Sequence, residues 1–270
     1  METKTDIGAV PTILICACVL FFPFLWGLFS KAGRVTVYLS VLLLIAALHV
    51  PLMRKGFLRL GPVLLFDIIY LLYPYCLWQA QALPYTFPGI LYAVPVLAYL
   101  VIVLVVRPLR GSVTWLSVGR IDAVTVSLVL TVSCLSAVGL IGWVAATRPD
   151  LDEFLSFLPP YPPLLLALGG LIFALSNGVV EELIFRGALW DALRGTLRPV
   201  IATVLVQAAL FGLWHWKGFP GGPTGIALVF VWGLFLGWIR SRSKGMLAPF
   251  ICHVCADLTI FSILSILARR

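Results

Sequence analysis

The chain has 270 residues, 61% of them hydrophobic and only 11% charged, with a net charge of +8 and a mean hydropathy of +1.08. Soluble domains carry about 25% charged residues, so a water-soluble globular enzyme is excluded and lipid is the natural solvent for most of this chain. The cations are scattered between apolar runs rather than gathered into a patch, which excludes a nucleic-acid partner.

One bilayer crossing takes about 20 mostly apolar residues as helix. By that measure the sequence reads as an all-α, polytopic transmembrane helical bundle of about eight or nine spans. The apolar runs fall approximately at 7–29, 35–53, 61–78, 89–106, 123–145, 164–193, 199–216, 224–240 and 247–267. They are too long, and too free of turn residues, for buried strands. The first exceeds a signal-peptide core and reads as a retained helix. His49, beside Arg54 and Lys55 at the end of the second run, reads as interfacial.

Asp67 on the third run has two readings: a charge satisfied by a neighbouring helix, or the proton-carrying carboxylate that a transporter needs. The acidic stretch Asp150 to Leu158 is either a short interfacial helix or a plain loop. Cations at 54–59, 107–120, 194–198 and 240–244 read as membrane-flanking loops, on the cytoplasmic side by the positive-inside tendency. Trp190, Trp214, Trp216, Trp232 and Trp238 mostly approach span ends and suit an aromatic belt, or grip an apolar substrate near a cavity. Cys16, Cys18, Cys76, Cys134, Cys252 and Cys255 all sit in apolar stretches and read as small hydrophobes, not as a disulfide framework.

A charge in mid-span costs at least ~2.5–3.5 kcal/mol on insertion scales, so the residues that accept this cost are the informative ones. Most of them lie beyond residue 160, which divides the chain into N-terminal spans without a recognised motif (1–160) and a polar-bearing membrane core (161–270). Glu182 and Arg186 are four apart on one helix face and can neutralise each other. Glu181 is rotated about 100° away and has no local ionic partner. Phe211 and His215 are four apart on the next run, and His253 and Asp257 four apart on the last. Counted from the loops at 194–198 and 240–245, Glu181, His215, His253 and Asp257 lie roughly 12–24 Å deep at ~1.5 Å per residue. One polar site in the bundle interior accounts for all four more economically than separate structural roles.

These pieces, in this order, resemble the CPBP family, the CAAX-processing and bacteriocin-processing intramembrane endopeptidases formerly called abortive-infection proteins. The family pattern is Glu-Glu-x-x-x-Arg on one helix, Phe-x-x-x-His on the next, and His-x-x-x-Asn/Asp on a later one. Here it reads Glu181-Glu182 with Arg186 and Gly187, then Phe211 with His215, then His253 with Asp257. The resemblance covers about 164 to 267. It implies a CPBP-type catalytic core with its cavity within the bilayer. Glu181 would activate a water that His215 helps to hold, His253 and residue 257 would stabilise the oxyanion, and Glu182–Arg186 would be a structural ion pair. It also implies a membrane-embedded or lipidated peptide or protein as substrate.

Asp257 departs from the Asn of better-known members. An ionised Asp only accepts hydrogen bonds, so either it is protonated in this cavity or it works by orienting His253, and orientation is the expected role. No cofactor is required by this scheme, although Glu181, His215, His253 and Asp257 would also suit a zinc shell with one open position. From a different class, a non-catalytic immunity factor, scaffold or transporter-like protein could use the same fold. Each reading places the protein in a membrane as a multi-pass protein: the plasma or inner membrane in a bacterium, the endoplasmic reticulum in a eukaryote.

Overall fold

The computed structural model describes residues 36–40, 43, 47, 64–69, 71–72, 90–158, 160–195 and 197–269. The expected run at 7–29 and His49 lie outside the described residues, and of the runs at 35–53 and 61–78 only 36–40, 43, 47, 64–69 and 71–72 are described, all of them helical. Every regular element described is helical. In chain order these are α1 (Ile90–Val105), α2 (Arg107–Arg110), α3 (Ala123–Thr147), α4 (Asp152–Ser156), α5 (Pro163–Arg194), α6 (Val200–Trp214), α7 (Gly222–Ser243) and α8 (Leu247–Leu267). Five helical stretches, α3, α5, α6 with the turn after it, α7 and α8, are long and apolar enough to cross a membrane. The protein is an integral membrane protein, and these five agree with the runs read from the sequence to within a few residues.

The helices are apolar on their outer faces as well as their inner ones. In α1, Tyr92, Val96, Tyr99 and Val103 form a buried stripe at helical spacing, while Leu97 and Val101 on the opposite side are more than half exposed. The same holds for Leu130 and Val138 of α3 and Ile172 of α5. A helix that is hydrophobic all round needs lipid or more protein outside it.

Local signals set the ends. Asp122 caps α3 by accepting from the Thr125 N–H at 2.7 Å and the Thr125 hydroxyl at 2.8 Å. The Thr125 N–H in particular holds the Asp122 carboxyl below the usual carboxylate range. Pro163 opens α5 and Pro199 precedes α6, where a missing N–H costs no hydrogen bond. The stretch around Asp150 forms the five-residue helix α4, held over one end of the bundle by edge contacts between Phe154 and Phe219 (5.6 Å) and between Trp143 and Phe219 (5.2 Å).

Packing then brings α8 between α3 and α5, and α7 against α6. Along the α6–α7 contact Gln207 is fully buried, and its amide donates to the Gly233 carbonyl at 2.7 Å and the Val204 carbonyl at 3.0 Å. Gly212 on the same line allows close approach: a Cβ there would lie 2.8 Å from the Ile226 carbonyl oxygen. Small residues that let backbones meet are how membrane helices associate without a hydrophobic drive between them.

A non-helical strap joins α2 to α3 and crosses the turn between α7 and α8. Arg120 N–H donates to the Ser243 carbonyl (2.7 Å), and Met246 N–H to the Ser117 carbonyl (2.9 Å). Gly119 has a φ of +88°, and a side chain there would collide with the backbone at Ser243 and Gly245.

Candidate active site

Within α5 the α-helical pattern changes at Leu183–Ala188 to a single π turn, and all six of its side chains are buried. Such turns widen a helix by one residue and recur at functional positions. Here the turn follows directly on Glu181 and Glu182. The α6 helix ends at Trp214 and continues as a 3₁₀ turn at His215–Lys217, which puts His215 at a helix end. His253 and Asp257 occupy one face of α8.

These elements bring Glu181, His215, His253 and Asp257 together. Glu181 Oε2 lies 3.5 Å from His253 Nε2 and 3.8 Å from His215 Nε2, and Asp257 Oδ2 lies 3.8 Å from His253 Nε2. Glu181 Oε2 is buried and has no hydrogen-bond partner among the described residues. His215 Nδ1 faces the Phe211 carbonyl at 3.0 Å. A carbonyl only accepts, so Nδ1 carries the proton, and in the neutral ring Nε2 presents its lone pair to Glu181 and the cavity.

Glu182 and Arg186 form the ion pair read from their spacing, with Arg186 Nη1 donating to Glu182 Oε1 at 2.9 Å. The same Oε1 faces His253 Nδ1 at 2.7 Å. Sequence reasoning gave the orientation of His253 to Asp257, but the close contact belongs to Glu182. The reason is rotational: Glu182 projects from α5 behind the His253 ring, whereas Asp257 shares a helix with His253 and reaches only its far nitrogen. Phe211 is fully buried beneath the cluster, with the Arg186 guanidinium 4.2 Å from its ring centroid. Its ring also lies 4.7 Å from that of His215 and 6.2 Å from that of His253.

One polar residue at the site went unread in the sequence. Asn177 Nδ2 lies 3.2 Å from Glu181 Oε1 and 3.1 Å from Asp257 Oδ2. It stands one turn before Glu181 on the same face, but a search for ionisable groups in apolar spans passes over a neutral amide. A second buried network was also missed. Arg240, read as a loop cation, is 3% exposed inside α7. Its Nε donates to the Arg186 carbonyl at 3.1 Å and its Nη2 to Thr114 Oγ1 at 2.9 Å. Thr114 in turn donates its N–H (2.6 Å) and its hydroxyl to Asp191.

The four residues line a partly open cavity of about 560 Å³ between α3, α5, α6, α7 and α8, to which Tyr92 of α1 and Glu153 and Phe154 of α4 also contribute. Its walls are mostly apolar, with Leu135, Leu140, Phe173 and Phe235 among them, and Glu153, Lys217 and Phe219 line it where α4 covers the bundle end. Trp214 and Trp232 also line it, and the Trp232 ring lies 5.0 Å from that of His253. Trp190 is buried, while Trp216 and Trp238 are about half exposed and fit a belt position. Cys252 is buried with its thiol towards the Val129 carbonyl, and Cys134 is exposed. Asp67 is half-buried and is not among the cavity residues. Among the described residues no group of three or more His, Cys, Asp or Glu side chains is disposed to hold a metal ion.

No curated protein and no solved structure matches the chain. The stretch that carries Asn177, Glu181, His215 and His253 does match a family model, and it agrees with the resemblance read from the three motifs: residues 163–259 are similar to the family described as Rce1-like, type II CAAX prenyl endopeptidase Rce1-like.

Proposed function

We propose that the protein is an intramembrane endopeptidase that hydrolyses a peptide bond of a membrane-associated substrate with a water activated by Glu181. The observation that carries this reading is Glu181 Oε2, a buried carboxylate oxygen without a hydrogen-bond partner, faced by two imidazole nitrogens on the wall of a cavity. A carboxylate and an imidazole lone pair converging on one point suit a water that must be both held and deprotonated.

In this scheme a water donates one hydrogen bond to Glu181 Oε2 and one to His215 Nε2. Its oxygen attacks the scissile carbonyl carbon as Glu181 takes the proton. The carbonyl oxygen becomes an oxyanion, and a preorganised donor at that point is worth several kcal/mol, about 2.7–4 for one donor in a well-studied protease. His253 Nε2 is that donor in the doubly protonated ring, since Nδ1–H is already given to Glu182. Glu182 and Asp257 flank this ring with negative charge. Glu181 then returns its proton to the leaving amine and the bond breaks. No step uses a metal ion. The apolar cavity walls suit a substrate that is itself membrane-embedded or carries a lipid.

The experiment is proteolysis of membrane-tethered peptides, with and without a lipid group, by the full chain in detergent or liposomes. Glu181→Gln is expected to abolish cleavage, and His215→Ala to lower it by about 100-fold or more. Wild-type cleavage is expected to survive thorough chelation. Loss of cleavage on chelation would overturn the metal-free scheme. Cleavage by Glu181→Gln at the wild-type rate would overturn the role of Glu181, and cellular function kept by a wild type that cleaves nothing would favour a scaffold.

A further inference from the structure

Glu181 has two carboxylate oxygens, and the two histidine nitrogens address only one of them. Something must choose which. Asn177 Nδ2 lies 3.2 Å from Oε1 of Glu181 and 3.1 Å from Oδ2 of Asp257, on two different helices. Both partners are carboxylates that accept when ionised, so the NH₂ end of the amide must face them, and its two hydrogens match the two oxygens in number. With Oε1 engaged, Oε2 is the oxygen left without a partner, 3.5 Å and 3.8 Å from the two Nε2 atoms.

The amide also stands between two like charges. Glu181 and Asp257 lie in one apolar-walled cavity, where uncompensated repulsion between carboxylates is strong. Packing alone does not call for an amide at this place: apart from Ser176 and Glu181, the residues flanking it along α5 are Phe173, Ala174, Leu175, Gly178, Val179 and Val180. A neutral apolar side chain would fill the same volume at lower desolvation cost.

We infer that Asn177 is a positioning residue of the catalytic site: its amide bridges Glu181 and Asp257, commits Glu181 Oε2 to the reacting water, and lets a second carboxylate stand beside the base. The inference rests on the hydrolytic reading above and deepens it. It also explains how the site holds Asp at 257: the amide donor comes across from α5.

The test uses the full chain in detergent with a cleavable membrane-tethered peptide, and compares wild type, Asn177→Ala, Asp257→Asn, the double variant, and Glu181→Gln as the blank. Asn177→Ala is expected to lower kcat by about tenfold or more with KM little changed, since the bridge acts on the base, with both amide hydrogens given to carboxylates. On the Asp257→Asn background the same substitution is expected to cost distinctly less, because the repelling carboxylate is gone. A purely structural role would cost the same on both backgrounds. A wild-type kcat in Asn177→Ala, or equal costs on both backgrounds, would overturn the inference and leave the hydrolytic reading standing.

A second measurement does not depend on turnover. Dicyclohexylcarbodiimide modifies carboxyl groups that carry a proton in apolar sites, and peptide mass spectrometry reads the yield at Glu181 and Asp257. Asn177→Ala is expected to raise that yield severalfold, since two unbridged carboxylates cannot both stay ionised. An unchanged yield would overturn the bridge even if no cleavable peptide were found, whereas a raised yield with full cleavage by Glu181→Gln would overturn only the hydrolytic reading.

Discussion

Phe211 lies beneath a buried guanidinium and beside two imidazoles, so its ring serves the ion pair and the site together. Arg186 is fully buried, and its Nε and Nη2 find no hydrogen-bond acceptor among the described residues. The face of the Phe211 ring is what offsets that charge on the side away from Glu182. A desolvated cation over an aromatic face is worth about 2 kcal/mol. Phe211→Leu keeps the apolar volume and removes the ring face. It should therefore lower stability by about this amount, read as a reduced Tm in detergent, and reduce cleavage less than Glu181→Gln does. An unchanged Tm would mean that the carboxylate of Glu182 alone satisfies Arg186.

At the scale of elements, the π turn of α5 is held from outside by α7. Arg240 donates to the Arg186 carbonyl in that turn and is itself fixed by Thr114, which binds Asp191. Removing one partner of a buried charged network costs about 3–5 kcal/mol because the others stay buried and uncompensated. Arg240→Ala should show that loss in thermal unfolding, while Arg242→Ala should not, since the 3.3 Å pair of Arg242 with Asp122 is largely exposed. Equal losses in the two variants would mean that the network does not support the turn.

The contrast between these two arginines shows where the sequence was readable. Both stand in one cationic run before a turn, and the end of the apolar run in the sequence agrees to within a few residues with the end of α7 at Ser243. Which of them turns inward depends on the rotation of α7 about its axis, and that is set by partners on α5 and the strap. Helix existence and ends were legible because apolar length, proline and glycine act locally. So was the grouping of Glu181, His215, His253 and Asp257, because charges in apolar runs stand out individually. The link from Asn177 to Asp257 and the hold of Glu182 on His253 were not, because each is a relation between helices far apart in sequence, and Asn177 beside Glu181 is a neutral amide that a search for charges passes over.

For the molecule as a whole, the five long helices sort their connections to two ends. One end carries Arg120, Arg194, Arg198, Arg240, Arg242 and Lys244, and the other carries Arg148, Lys217 and Arg269 with Asp150, Asp152 and Glu153. By the positive-inside tendency the first end is expected in the cytoplasm, which would turn the cavity residues Glu153, Lys217 and Phe219 towards the opposite face. A membrane-impermeant maleimide applied to intact cells should label Asp150→Cys and spare Arg198→Cys. The reverse pattern would turn the bundle over and give the cavity to the cytoplasmic side.

The strap bears on how the protein comes into being. Its residues meet the α7–α8 turn across a long stretch of chain, with Thr114 and Arg240 separated by 126 positions. During synthesis it waits for almost half of the protein to be made, and its last backbone partner, Leu247, is the first residue of the helix that delivers His253 and Asp257. The clasp therefore shuts only as the final span arrives with half of the polar cluster. Until then Glu181 and His215 are in place without His253 and Asp257, the two polar side chains that this helix brings to the cavity.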